Sequence, residues 1–353
     1  MDIKKVKFGV LVLKGAAEVH EMELPPLGDD EILIRQLVCN ICTADYTQWM
    51  GLRENQGYPA SLGHEGAGIV IEKGKNVRNL EVDDFVALAN NYCGKCVNCR
   101  QGRETECLVR KSYDEHGEYF GRMGLAEYFI RPETSVIKMN PALSPSEAAF
   151  LEPVATVVKG IKKLNIKPFE KIVVIGGGTM GQINAQAARS YGGAVIISET
   201  MENKLAVAKS LGFDTVNPAE TDPVQEVMRL TGGTGADAVI VAVGSTVANQ
   251  QAAKMLKKMD GRMLMFAAAY PAPEIGITAN DVHYRRMEIV GTYLADLRDF
   301  LEGADLLNKK IIDVSPLIED RKYYLDEIQE AFKEAATPGK FRVSVLLHRE
   351  GEK

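Results

Sequence analysis

The chain has 353 residues, of which 46 % are hydrophobic and 25 % are charged, and this composition is typical of a globular protein with room for two domains. The formal net charge is −6 and no long basic run occurs, which argues against a nucleic acid and against an anionic membrane as partner. The N-terminal apolar run FGVLVL is short and ends at Lys14, so it predicts a strand and not a signal peptide, and we expect a cytoplasmic protein.

The first part of the chain predicts a β-rich domain, because short apolar runs such as EILIRQLV and AGIVIE are separated by Pro and Gly. The pattern changes at Ser144, which can cap a helix with Pro145 in its first turn and Glu147 completing a capping box. Pro153 is expected to break or restart that helix and to leave Glu152 outside regular helix geometry.

Apolar strands and amphipathic helices alternate after this point. The runs KIVVIG, AVIISE, AVIVAVG and GRMLMFAA are continuously apolar, as in a parallel sheet covered on both faces, and helices are predicted near 179–191, 202–211 and 247–258. Near 291 the β-rich pattern resumes, with helices around 297–308 and 325–336 and a closing strand FRVSVLLH. We therefore predict an α/β chain in which a nucleotide-binding domain, residues 151–290, is inserted into a β-rich domain formed by residues 1–150 and 291–353.

The six cysteines are confined to the first third of the chain, and their short gaps indicate metal binding rather than disulfides. Four of them lie at gaps of two, two and seven residues, and these are Cys93, Cys96, Cys99 and Cys107. Zinc accepts four thiolates tetrahedrally, and a site with no open position is structural, so a structural zinc lobe is predicted over 93–107. Reduced thiols without a metal and an iron–sulfur cluster are the alternatives, but nothing else in the chain suggests electron transfer.

A glycine-rich turn follows the strand KIVVIG and opens a helix. Its candidate cofactor-binding residues are Gly176, Gly178, Thr179, Met180 and Gly181. Glu199 ends the next strand, 21 residues after Gly178, close to the spacing of about 20 expected of an acid that binds the ribose of a dinucleotide. The helix N-terminus favours the phosphate charge, and Glu199 would repel a 2′-phosphate, so NAD is predicted over NADP. Lys204 is placed at the adenosine end; a surface lysine is the alternative.

Candidate ligands of a second metal are Cys42 after a strand, His64 and Glu65 in GHEGAG, and Glu152 before Pro153. A zinc held by Cys, His and carboxylate groups keeps room for a substrate. Cys39 lies an odd number of positions before Cys42, so a regular strand would point it to the opposite face, as a buried small hydrophobe.

These motifs, in this order, resemble the zinc-dependent medium-chain dehydrogenases/reductases of the alcohol dehydrogenase superfamily, in the sorbitol or polyol branch. The resemblance covers essentially the whole chain. It implies a GroES-like catalytic domain plus a Rossmann domain with a doubly wound parallel sheet, an active site in the cleft between them, two zincs per chain and NAD. It also implies a homo-oligomer, either a dimer or a tetramer.

The same resemblance assigns roles around the catalytic zinc. Cys42, His64 and Glu152 would be ligands, Glu65 an alternating or additional ligand, and Asp45 a residue that orients His64. Classical alcohol dehydrogenases have a cysteine at the position of Glu152, and a glutamate there is the sorbitol dehydrogenase pattern.

The family usually starts its proton relay at a hydroxyl two residues after the zinc-binding cysteine, but this chain has Ala44 there. Thr43, Tyr46, Thr47 or a water beside Glu65 are the candidate replacements. Ala44 also motivates a hypothesis from another class, in which the protein binds zinc and NAD but has lost catalysis.

The implied reaction is the reversible oxidation of a secondary alcohol, such as a polyol or sugar alcohol, to the ketone. Sorbitol dehydrogenases carry an Arg-Tyr pair where this chain has Leu294-Ala295, so sorbitol itself is not favoured. Threonine 3-dehydrogenase-like oxidation remains an alternative, as does a polyol phosphate bound by the basic residues Arg110, Lys111 and Arg122. A zinc-ribbon module that binds nucleic acid is opposed by the acidic charge and by the dinucleotide motif.

Overall fold

Two large sheets, one mostly antiparallel and the other parallel, organise the described residues, which also form two sheets of two strands each. The computed structural model describes residues 3–53, 57–349 and 351. One unit consists of Met1–Ala155, Ala295–Lys310 and Val314–Lys353, and the other of Thr156–Leu294 and Ile311–Asp313. The divisions near 155 and 294 lie a few residues beyond those expected from the sequence.

The first unit begins with nine strands. They are β1 (Lys5–Leu13), β2 (Ala16–Glu23), β3 (Glu31–Asn40), β4 (Glu65–Lys73), β5 (Phe85–Leu88), β6 (Glu115–His116), β7 (Tyr119–Phe120), β8 (Tyr128–Pro132) and β9 (Val136–Lys138). The helices between and after them are α1 (Thr43–Trp49), α2 (Val97–Arg100), α3 (Pro145–Ala148) and α4 (Leu151–Leu164), and α4 continues into the second unit from Thr156 onward. Short 3-10 turns lie at Glu104–Glu106, Arg110–Asp114 and Glu133–Ser135.

The second unit is a parallel sheet with helices between its strands. Its elements are β10 (Lys171–Ile175), α5 (Thr179–Ser190), β11 (Ala194–Ser198), α6 (Glu202–Ser210), β12 (Asp214–Val216), α7 (Pro223–Leu230), β13 (Ala238–Val241), α8 (Thr246–Met255), β14 (Arg262–Met265), α9 (Ala279–Arg285) and β15 (Glu288–Gly291). The strand order is β12-β11-β10-β13-β14-β15, with every pairing parallel. This order is that of a doubly wound dinucleotide-binding fold, whose ligand lies beyond the carboxyl ends of the strands where the order reverses, here between β10 and β13.

The chain then completes the first unit with α10 (Leu297–Asn308), a 3-10 turn at Ser315–Leu317, β16 (Tyr323–Tyr324), a 3-10 turn at Leu325–Glu327, α11 (Ile328–Ala335) and β17 (Ser344–Leu346). The antiparallel sheet runs β16-β17-β3-β4-β5-β9, with β8 also paired to β3 and only β16 and β17 parallel. One hydrophobic core of this unit joins β3 and β17 to α11, and Cys39, with its side chain fully shielded, belongs to it.

The expected capping box at the start of α3 is confirmed, since the Ser144 hydroxyl accepts from the Glu147 N–H and Glu147 Oε2 accepts from the Ser144 N–H at 2.8 Å. The expectation for Glu152 is wrong, because Glu152 lies inside the first turn of α4. Pro153 also fits in that turn, since N–H groups of a first helical turn have no intrahelical acceptor to lose. Among the described residues, no helix is both long enough and apolar enough to span a membrane.

Candidate active site

Two neighbouring strands bring the candidate catalytic ligands together. In the antiparallel pair of β3 and β4, Asn40 lies opposite Glu65, so the end of β3 meets the start of β4. Cys42 follows β3 in an extended conformation and is the N-cap of α1. The Cys42 N–H donates to Asp45 Oδ2 at 3.1 Å, which fixes the cysteine at the helix start. A strand pairing and a cap therefore position residues that are far apart in sequence.

The ligand atoms of Cys42, His64 and Glu65 lie within 4.8 Å of one another, and we call these three residues the catalytic metal group. His64 Nδ1 is 3.4 Å from Asp45 Oδ1, so the other ring nitrogen is the one left to face the group. A thiol, an imidazole and a carboxylate form a donor set suited to zinc, and the predicted contact of Asp45 with His64 is present in the structure.

The electrostatics of the group favour a bound cation. Burial raises the pKa of the Cys42 thiol, and the nearby Glu65 carboxylate raises it further. Burial likewise raises the pKa of Glu65. Burial favours the neutral form of His64, yet Asp45 and Cys42 together raise the pKa of this imidazole well above its ordinary value. Buried anionic groups that disfavour one another's ionisation are the groups whose charge a divalent cation stabilises, so the residues present fit a zinc ion.

Arg342, just before β17, is a site residue that sequence reasoning missed. Its Nε donates to Glu65 Oε2 and its Nη2 to Glu65 Oε1, both at 2.8 Å, and Nη2 also lies 3.7 Å from Cys42 Sγ. The side chains of both partners are shielded from solvent, and Glu65 and Cys42 raise the pKa of Arg342 despite its burial. This bidentate pair occupies both oxygens of Glu65.

Glu152 is not one of the three residues whose ligand atoms cluster, although its charge contributes to raising the pKa of Glu65. Its role as a ligand therefore stays a prediction. The proposed proton-relay hydroxyls are distributed along α1. Thr43 is exposed, whereas the Thr47 hydroxyl donates to the Thr43 carbonyl at 2.7 Å and lies 3.1 Å from the Ala44 carbonyl.

The four-cysteine lobe brings its thiols together as the spacing predicts. Sγ of Cys99 lies 3.9 Å from that of Cys93 and 3.4 Å from that of Cys96, and the ligand atoms of all four cysteines, Cys107 included, fall within 4.8 Å of one another. All four are free thiols. Zinc–sulfur bonds of about 2.3 Å place tetrahedral sulfurs about 3.8 Å apart, so the lobe has the dimensions of a closed zinc site.

Backbone N–H groups stabilise the thiolate form of two cysteines in the lobe. N–H groups of Lys95 and Cys96 donate to Cys93 Sγ and lower the pKa of Cys93, and those of Cys99 and Leu108 lower the pKa of Cys96 to about 6. Burial raises the pKa of Cys99 instead. A cation is therefore needed to ionise all four thiols together.

The glycine turn between β10 and α5 has the geometry of a dinucleotide site. Gly176 has a φ of +99°, and a Cβ on Gly181 would lie 1.7 Å from the Gly176 carbonyl oxygen, so neither position accepts a side chain without strain. Gly178 is the N-cap of α5, and the Lys204 ammonium lies 3.8 Å from the point where a Gly178 Cβ would be. A cation beside a helix N-terminus suits a pyrophosphate.

Glu199 follows β11 and contacts the same turn. Its Oε2 accepts from the Gly177 N–H at 2.6 Å, and its Oε1 accepts from the N–H groups of Thr200 and Met201 at 2.7 and 2.9 Å. The Thr200 hydroxyl lies 3.2 Å from Oε1 as a further donor, so Oε2, with one donor, keeps acceptor capacity for a ribose hydroxyl. The structure thus brings the predicted glycines, Lys204 and Glu199 to one place.

Comparison with known proteins identifies the family. The chain matches the alcohol dehydrogenase GroES-like domain over residues 28–141 and the zinc-binding dehydrogenase domain over residues 179–309. An alcohol dehydrogenase from Geobacillus stearothermophilus is 31 % identical over 339 residues, which cover 95 % of this chain and 96 % of that protein. The chain belongs to the zinc-dependent alcohol dehydrogenase family. This dehydrogenase is therefore an oxidoreductase of the medium-chain type, as the motifs predicted.

Other relatives of this dehydrogenase are named for different substrates. A sorbitol dehydrogenase from Halalkalibacterium halodurans is 28 % identical, with 92 % of this chain and 96 % of that protein covered, and an L-threonine 3-dehydrogenase from Pyrococcus horikoshii is 29 % identical, with 90 % and 91 % covered. A zinc-binding dehydrogenase from Sinorhizobium meliloti, solved with NADP, superposes with a TM-score of 0.86 at 27 % identity, covering 97 % of this chain and 99 % of that one. The predictions of fold class, zinc and a nicotinamide cofactor are confirmed.

Proposed function

We propose that this dehydrogenase interconverts a secondary alcohol of a polyol or sugar alcohol and the matching ketone, with NAD as the hydride acceptor. The observation that carries the proposal is the composition of the catalytic site. Cys42 and His64 are joined by the carboxylate of Glu65, and a second glutamate, Glu152, lies near enough to affect Glu65. The sorbitol dehydrogenase relative is consistent with this substrate class.

Different residues of the chain would bind the zinc, orient the residues around it and position the dinucleotide. Cys42, His64 and Glu152 would hold the zinc, which when bound supplies a Lewis acid for the alcohol oxygen. Asp45 fixes the orientation of His64, and Arg342 holds Glu65. Glu199 and the glycine turn would position the dinucleotide.

The NAD preference rests on Glu199. Its carboxylate accepts from three backbone N–H groups and lies at the end of β11, where a 2′-phosphate on the ribose would meet a negative charge. The NADP bound to the S. meliloti relative makes this preference a property to measure for this chain.

The test is a screen of NAD reduction by zinc-loaded protein over linear and cyclic polyols, polyol phosphates and L-threonine. A ratio of kcat/KM that favours free polyols supports the proposal. A ratio favouring L-threonine supports the alternative that the Pyrococcus relative suggests. No turnover of any alcohol would support the hypothesis of lost catalysis. The expected dimer or tetramer and the expected cytoplasmic location stay predictions, of which light scattering on purified protein tests the first.

A further inference from the structure

A cavity of about 600 Å³ opens in the first unit. Asn91, His116, Phe129 and Arg131 are among the residues that line it. None of the described residues in this lining belongs to the catalytic metal group or to the four-cysteine lobe. The cavity is thus a separate feature of the molecule, and binding there does not depend on the proposed reaction.

Arg131 is an unusual wall residue, because it is a buried cation on an inward-facing position of β8. Its side chain is 2 % exposed and lies over the Phe129 ring, 5.2 Å from its centre. Its Nη2 donates to the Arg122 carbonyl, while its Nε has no partner, and within the described part of the chain no carboxylate forms an ion pair with it. Guanidinium groups are seldom buried without a counter-ion, since the desolvation cost is then uncompensated.

The charges around Arg131 are consistent with a missing anion. Burial, together with repulsion from Arg122, lowers the pKa of Arg131 to about 10, and attraction to Asp114 and Cys39 only partly opposes this. The Asp114 carboxylate instead accepts a long 3.4 Å bond from the Asn91 amide. An oxyanion beside Arg131 would supply the direct ion-pair partner that the described carboxylates do not.

Two hydrogen-bond acceptors accompany the guanidinium. The amide oxygen of Asn91, a residue 5 % exposed, has no partner. His116 Nε2 lies 3.1 Å from the Gly121 carbonyl, and because a carbonyl only accepts, Nε2 carries the proton and Nδ1 remains an acceptor. Burial lowers the pKa of His116, which keeps the ring neutral. The wall thus combines one cation with acceptors suited to ligand hydroxyl groups.

Acidic side chains around the cavity limit the charge of its ligand. Glu23 and Glu115 are exposed lining residues, and the half-buried Glu31 accepts from the Gly28 N–H at 2.8 Å. A dianionic phosphate would neutralise Arg131 and still carry a negative charge beside these glutamates, whereas a carboxylate would not. We propose that this cavity binds a small monoanionic hydroxycarboxylate, with its carboxylate on Arg131 and its hydroxyl groups on Asn91 and His116.

The experiment is calorimetric titration of the full-length, zinc-loaded protein with gluconate, and with sorbitol as the uncharged six-carbon partner. Gluconate is expected to bind the Cys42→Ser variant as it binds the wild type, because the cavity shares no residue with the metal group. Arg131→Met, which removes the cation, and Ser112→Trp, which fills the exposed edge of the cavity, should each weaken gluconate binding at least about tenfold. Val109→Trp, an exposed neighbour outside the lining, should leave it unchanged.

Three results would overturn the proposal. These are no gluconate binding at millimolar concentration, loss of binding in Cys42→Ser, and binding of sorbitol or inorganic phosphate that matches gluconate in affinity and in its response to Ser112→Trp. If Arg131→Met does not fold, Ser112→Trp decides the outcome, because its substitution lies at an exposed position.

Discussion

The bidentate pair of Arg342 and Glu65 is the strongest residue-scale feature of the catalytic site. Both side chains are almost fully shielded, so each charge depends on the other for its stability. Removing one side chain leaves the other as a buried charge without a partner, which destabilises the folded state. Replacing both side chains leaves no unpaired buried charge.

We expect Arg342→Met to lower the free energy of unfolding by about 3–5 kcal/mol, measured by denaturant titration. The double variant Arg342→Met/Glu65→Gln is the control. It should lose less unfolding free energy than the single variant, because an uncharged amide then replaces the carboxylate. Equal losses in the two variants would show that the ion pair does not account for the effect.

Glu199 makes a second prediction at this scale, on cofactor choice. Glu199→Ala should raise the ratio of kcat/KM for NADP to that for NAD at least about tenfold, because the charge that repels a 2′-phosphate is gone. Glu202→Ala, which removes an exposed acid at the start of α6, is the matched control and should leave the ratio unchanged. A wild-type enzyme that already prefers NADP would contradict the assignment.

Sequence could predict the grouping of Cys42 with His64 because both lie in short motifs, and the contact of Asp45 with His64 was implied by the family resemblance. It could not predict Arg342, which reaches Glu65 across 277 positions through the pairing of β17 with β3. A lone arginine in the apolar closing segment was the available signal. Long-range pairs of this kind depend on strand register, which one sequence does not specify.

At the scale of elements, the four-cysteine lobe is tied to the N-terminus of α10. The Thr105 N–H donates to Asp296 Oδ1 at 2.8 Å, and the Leu297 N–H lies 3.3 Å from Glu104 Oε2. Leu297 also packs against the buried cysteines of the lobe. Order in the lobe should therefore extend to the first turn of α10.

Cys107→Ser, which removes one predicted zinc ligand, should increase hydrogen exchange at the Thr105 and Leu297 amides by at least about tenfold. Amides of α11, which belongs to another part of the core, serve as the internal control. Unchanged exchange at Leu297 would show that the lobe and the helix are held independently.

Asp237 links elements of the unit that contains the parallel sheet, and its contribution to the free energy of unfolding depends on pH. Its carboxylate accepts from the Lys171 N–H and from Lys257 Nζ, each at 2.8 Å, and despite burial these contacts lower its pKa below 3.8. The stabilisation is present above the unfolded-state pKa near 3.8 and is lost as the pH falls through the lower folded-state value. Asp237→Asn should thus cost about 1 kcal/mol of unfolding free energy at pH 7, and the difference from wild type should shrink below pH 4. A difference that is constant between pH 7 and pH 3 would contradict this origin.

Helices and strands were predictable from sequence where the hydrophobic periodicity and the capping residues indicated the same element. The strands β10 and β13 are buried as their apolar runs indicated, and α5 and α10 begin where expected. Helix α7 was missed although Asp222 and Pro223 form a cap, with Asp222 accepting from the Val224 and Gln225 N–H groups. The closing strand is shorter than its apolar run, because burial alone does not require ladder hydrogen bonds.

At the scale of the whole molecule, the order of motifs along the chain predicted more than any single motif. Alternating strands and helices between two β-rich segments predicted an inserted nucleotide-binding domain, and the chain does form a parallel six-stranded sheet in one unit and a mostly antiparallel sheet in the other. Substrate identity was not predictable, since it depends on side chains that several loops bring together.

The central claim is that the Cys42 site carries catalysis and that the four-cysteine site is structural. Its most direct test measures zinc content and polyol-dependent NAD reduction together in wild type and in Cys42→Ser. We predict two zincs per chain and activity in the wild type, and one zinc, a folded protein and at least about a thousandfold lower kcat/KM in the variant, because the Lewis acid is lost while the lobe stays closed. A Cys42→Ser protein that keeps wild-type activity, or a wild type that oxidises the alcohol without zinc, would contradict the account.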